Sequence, residues 1–79
     1  MKSRKIKVLK YTAVFEPEKP SGYSVTIPAL PGCISQGETF EDALENIKEA
    51  AELYLEDLKG SEIPQEEKPI IVSPVEIAL

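Results

Sequence analysis

Residues 22–33 read Gly-Tyr-Ser-Val-Thr-Ile-Pro-Ala-Leu-Pro-Gly-Cys. Tyr23, Val25 and Ile27 alternate with Ser24 and Thr26, the period-two pattern of a half-buried strand. Pro28-Ala-Leu-Pro-Gly32 then stops the strand, and Pro31-Gly32 has the chemistry of a type II turn. Gly32 takes the positive φ that such a turn needs. Cys33 to Gln36 reads as a short return strand closed by Gly37. Upstream, Leu9, Tyr11, Ala13 and Phe15 share one alternation while Ile6 and Val8 share the other, so the first strand starts at Leu9 or is bulged near it. Glu16-Pro-Glu-Lys-Pro-Ser-Gly22 joins it to the second by a turn. Three strands on short turns make an antiparallel meander.

Downstream, Thr39 is placed as an N-cap, with Asp42 three residues on. Phe40, Ala43, Leu44, Ile47, Ala50, Ala51, Tyr54, Leu55 and Leu58 fall on one arc at 100° per residue, predicting a helix over 40–58 whose stripe is buried against the sheet. Lys59-Gly60 supplies the stop. The end of the chain, Pro69-Ile-Ile-Val-Ser-Pro-Val-Glu-Ile-Ala-Leu79, reads as a fourth strand interrupted by Pro74. The expectation is one domain over residues 1–79, an α+β two-layer β-β-β-α-β fold with one helix on one face. A right-handed crossover gives a mixed sheet of order 3-2-1-4.

Composition narrows function. The 79 residues hold one cysteine and no histidine, which excludes an intramolecular disulfide, a credible zinc site and every His-dependent triad. No apolar run spans a bilayer and no secretory signal is evident, so a cytoplasmic location is expected, with no membrane association. Residues 1–10 carry five cations and no acid, whereas 38–67 hold eleven carboxylates against Lys48 and Lys59. A pI of 4.7 argues against a general nucleic-acid binder. The strands carry almost no acids, so metal-dependent phosphoryl transfer has no ligands there and the reading is a non-enzyme without cofactor or metal.

Gly22-Tyr23-x-Val25-x-x-Pro28-x-Leu30-Pro31-Gly32-Cys33, followed by Ser35-x-Gly37-x-Thr39 and a helix opening Glu41-Asp42-Ala43, resembles the signature of the HicB-like antitoxin family. The similarity runs closely from Tyr11 to Leu58. It implies a partial RNase-H-like fold and a partner, a small basic RNA-cleaving HicA-like toxin whose active site the antitoxin covers. Longer members carry a DNA-binding domain. This sequence ends after the fourth strand, so DNA binding is not expected of it.

Under that resemblance the candidate toxin contacts are Glu45, Glu49 and Glu52 on the helix face opposite the stripe, the off-stripe Leu53, and Leu30 at the turn tip. Leu30 is equally placed to fold under into the core. Pro31, Gly32 and Thr39 are read as structural, and Cys33 as a small buried hydrophobe. Val72, Val75, Ile77 and Leu79 are candidates for homo-oligomer formation through an exposed edge. The alternative function is a nucleic-acid-associated regulatory module acting through the basic N-terminus.

Overall fold

The computed structural model describes residues 9–58, 62–64 and 70–79. Three strands, β1 (Val14–Pro17), β2 (Tyr23–Thr26) and β3 (Ile34–Gly37), precede one helix, α1 (Phe40–Glu56). The sheet is antiparallel in the order β1-β2-β3, with Phe15 opposite Val25 and Val25 opposite Ser35. The α+β class and the meander are as expected from the sequence.

The turn chemistry explains how the sheet meets the core. Cys33 N–H donates to Leu30 O at 2.9 Å across Pro31-Gly32, and Gly32 has φ +86°. These are the marks of the type II turn. Leu30 N–H donates to Ile27 O at 2.9 Å and Ile27 N–H to Cys33 O at 3.1 Å, which folds the turn back on itself. Leu30 is thereby carried inward to 0% exposure, beside Val25, Ile27, Cys33, Ala43 and Ile47. Burial pushes the Cys33 thiol up from its ordinary pKa, away from thiolate reactivity.

Helix α1 starts where the capping argument places it. The Thr39 hydroxyl accepts from Asp42 N–H at 3.0 Å, and Glu41 and Asp42 stand at the positive end of the helix dipole. Removing that acceptor with Thr39→Ala should lower stability by about 1 kcal/mol. For a domain of this size that is a drop of roughly 4–8 °C in Tm, read by circular dichroism. An unchanged melting temperature would remove the cap from the account.

Four expectations are corrected. The helix ends at Glu56, two residues early, since its last turn holds no cation and Glu52, Glu56 and Asp57 crowd the negative end of the dipole. The expected stop at Gly60 lies outside the described residues. The first strand pairs only from Val14: Leu9, Tyr11 and Ala13 keep the inward phase, but residues 9–13 form no ladder. No strand forms over residues 70–79, so the described sheet has three strands and not the order 3-2-1-4. Pro74 lacks a ladder donor, and the whole segment is exposed.

The fourth correction concerns the apolar stripe. Ala43, Ile47 and Ala51 are buried, yet Leu44 is 47% exposed. The helix packs chiefly over β3 and β2, leaving the β1 side of the stripe uncovered. Phe40 is also partly exposed but packs on Phe15, the rings tilted by 45° with centroids 4.6 Å apart, and makes an edge-to-face contact with Tyr23 at 6.4 Å.

Candidate protein-interaction surface

Helix geometry separates apolar from acidic faces. With Ala43, Ile47 and Ala51 turned to the sheet, Glu45, Glu49 and Glu52 face solvent and all three are exposed. Leu53 stands 60% exposed one turn beyond Glu49. Within α1 the carboxylates Glu41, Asp42, Glu45, Glu49, Glu52 and Glu56 are opposed by one cation, Lys48. Same-sign pairs at i,i+4, such as Glu45–Glu49, each cost an isolated helix about 0.2–0.5 kcal/mol. The Glu45–Glu49 pair therefore opposes the helix slightly and does not support it.

The structure divides these acids between two concavities. Glu45 and Glu49, with Asp42, line an open cleft of about 720 Å³ between α1 and the β2–β3 end of the sheet. Glu18 and Glu38 complete its acidic rim. Asn46 Nδ2 donates to Gln36 O at 2.8 Å, and Ser21 Oγ to Glu38 Oε2 at 3.3 Å, which fixes strand, turn and helix around this cleft. Glu52 lies on the opposite flank, beside an apolar groove of about 1040 Å³ that also touches Leu44, Ile47 and Leu55. Glu45 borders both.

Sequence reasoning missed Glu18 and Glu38, which sit in turns far apart along the chain. The only available signal was their position beside Gly22 and Gly37, where β2 and β3 pair Tyr23 with Gly37. Leu30 is corrected: fully buried, it offers no surface to a partner. Pro31 is exposed at the turn, Gly32 has its positive φ and Thr39 caps α1. Val72, Val75, Ile77 and Leu79 are all exposed, at 74, 78, 78 and 119%. The basic residues Lys2, Arg4, Lys5 and Lys7 lie outside the described residues.

Among the described residues no three His, Cys, Asp or Glu side chains are grouped to hold a metal ion, and no helix is long and apolar enough to cross a membrane. The arrangement is an electrostatic surface: carboxylates in a wide, solvent-open cleft, suited to meeting cations on another macromolecule.

Comparison with known proteins agrees with the motif. The model of the HicB-like antitoxin of bacterial toxin–antitoxin systems matches residues 11–76. The UPF0150 protein ssr1765 of Synechocystis is 44% identical over 70 residues, covering 89% of each chain. A UPF0150 protein of Helicobacter pylori is 48% identical over 67 residues, covering 84% of this chain and 92% of that one. Antitoxin HicB 1 of Photorhabdus laumondii is 36% identical over 63 residues, which is 75% of this chain and 41% of that longer protein. No solved structure matches. With the Tyr23-to-Cys33 turn, the Thr39 cap and a family match spanning most of its length, the chain belongs to the HicB-like antitoxin family.

Proposed function

We propose that this protein is a cytoplasmic antitoxin that captures a small basic RNA-cleaving toxin of the HicA-like kind and neutralises it by covering its active site. Family membership supports a toxin–antitoxin role and a non-enzymatic one. The observation that carries the reading is the acidic face of α1, continued by Glu18 and Glu38 into the cleft. A protein that cleaves RNA must present cations to phosphodiesters. A surface of fixed carboxylates competes for those cations, speeding and orienting the encounter. Leu53 supplies an apolar contact beside Glu49.

The test is charge reversal at Glu45, Glu49 and Glu52 together, each to lysine. All three are exposed, so the far-ultraviolet spectrum should be preserved. Association with a HicA-like toxin, followed by stopped-flow fluorescence at low salt, should slow by about tenfold or more, and its salt dependence should flatten. RNA cleavage by the toxin should then persist at antitoxin concentrations that silence it for the unaltered chain. Equal rate and affinity for the triple variant would place the contact elsewhere.

A further inference from the structure

Strand β3 ends the sheet, and no described strand pairs with its far side. Which of its backbone groups face that side follows from the register. In an antiparallel pair alternate residues exchange bonds with the partner strand, and the others turn away. Glu18 N–H donates to Gly22 O at 2.8 Å, and Ile27 N–H donates to Cys33 O at 3.1 Å. Continued along the two ladders, that phase joins Ser24 and Thr26 to β1, and Val25 and Tyr23 to Ser35 and Gly37. Ile34 and Gln36 are the alternate residues of β3, so their backbone groups point outward. Gln36 O bears this out, since it accepts from Asn46 Nδ2 at 2.8 Å. Ile34 N–H, Ile34 O and Gln36 N–H face the same way with no partner among the described residues.

The side chains beside that edge divide by face. Ser35 shares the helix side with Val25, whereas Ile34 stands in register with Thr26 on the far side, where it is 63% exposed. On the helix side the edge opens into the acidic cleft, at Gln36, Glu38, Asp42, Asn46 and Glu49. We infer that an extended segment of the captured toxin adds as a strand to the β3 edge, its cations over the cleft and an alternate apolar residue against Ile34. The inference rests on the toxin-capture reading and names the contact that capture uses. In such additions main-chain bonds supply affinity and alternate side chains supply selectivity. Charge decides the occupant. A second copy paired antiparallel through β3 would set the same carboxylates along both sides of the seam, whereas a basic strand neutralises them.

Gln36→Pro removes one outward donor and leaves the β2–β3 ladder intact, because Gln36 N–H takes no part in it. Its helical spectrum should be kept, while its affinity for a HicA-like toxin falls about tenfold or more. Gln36→Ala keeps the donor and should bind within about twofold of the parent. Hydrogen exchange of the unaltered chain, followed by NMR, reads the edge itself. The Ile34 and Gln36 amides should exchange freely in the chain alone and slow by about tenfold or more in the complex. Ser35 N–H, already bonded to β2, should be protected in both. A complex in which the Ile34 and Gln36 amides exchange as in the free chain would overturn strand addition and leave capture standing. Equal affinities for the proline and alanine variants would do the same. Absence of any complex would remove the capture reading and this one with it. Protection of the two amides in the chain alone, lost on dilution, would assign the edge to a second copy instead.

Discussion

Replacement of Gly37 by alanine is expected to cost about 3 kcal/mol, near the upper end of what overpacking usually costs. A Cβ built on Gly37 would stand 2.4 Å from Ala43 N, 2.7 Å from Asp42 C and 2.8 Å from Ala43 Cα. All three atoms are backbone in the first turns of α1, so no side-chain rotation relieves the clash. The helix must withdraw from β3, loosening the 2.8 Å bond from Asn46 Nδ2 to Gln36 O and exposing the buried Ala43. For a domain of this size the expected fall in Tm is roughly 12–24 °C. Gly32→Ala provides the contrast: its Cβ meets nothing within 4 Å, and only the positive φ of +86° opposes it. That strain is about 1–2 kcal/mol. Thermal and urea unfolding of the two variants should therefore rank Gly37 well above Gly32, and a Gly37→Ala protein melting within a few degrees of the parent would refute the close approach of helix to strand.

The positions of these glycines show what was legible before the structure. Turn residues, the Thr39 cap and the alternation of Tyr23, Val25 and Ile27 are local signals, each set by the preferences of a few adjacent residues, and they hold. Whether residues 9–13 join a ladder is not local. Leu9, Tyr11 and Ala13 carry the inward phase of a strand, but pairing also needs a neighbouring edge, and residues 70–79 do not supply one within the chain. The same absence exposes Leu44, which the helical period alone assigned to the interior. Glu18 and Glu38 were invisible as part of a site for a related reason: the antiparallel register of β2 and β3, and not any spacing in sequence, brings their turns to one rim.

Leu30 and Leu53 make the sharpest test of how the fold assigns roles, because the same residue type stands in two candidate contact positions with opposite surroundings. Leu30→Ala should cost about 2–5 kcal/mol, as for other fully buried leucines, with the larger values applying where the site cannot collapse. Collapse is restricted here. The backbone around Leu30 is held by its own bond to Ile27 O, by the bond from Cys33 and by the rigid Pro31, so the turn cannot follow the shortened side chain inward. Of the neighbours that would close the gap, Val25 is held in the central strand β2, and Ala43 and Ile47 belong to the helix that meets β3 closely at Gly37. For a chain of 79 residues such a loss is a large part of a total stability of about 4–12 kcal/mol. Leu53→Ala, at a position 60% exposed, should stay within about 0.5 kcal/mol of the parent. If toxin capture runs through the acidic face, the two variants also part in binding: Leu30→Ala should lose active protein in proportion to its unfolded fraction, whereas Leu53→Ala should remain folded and bind more weakly. Urea midpoints measured beside the binding titration separate the cases. A folded, fully stable Leu30→Ala protein would mean that the Pro28–Cys33 turn does not anchor the core.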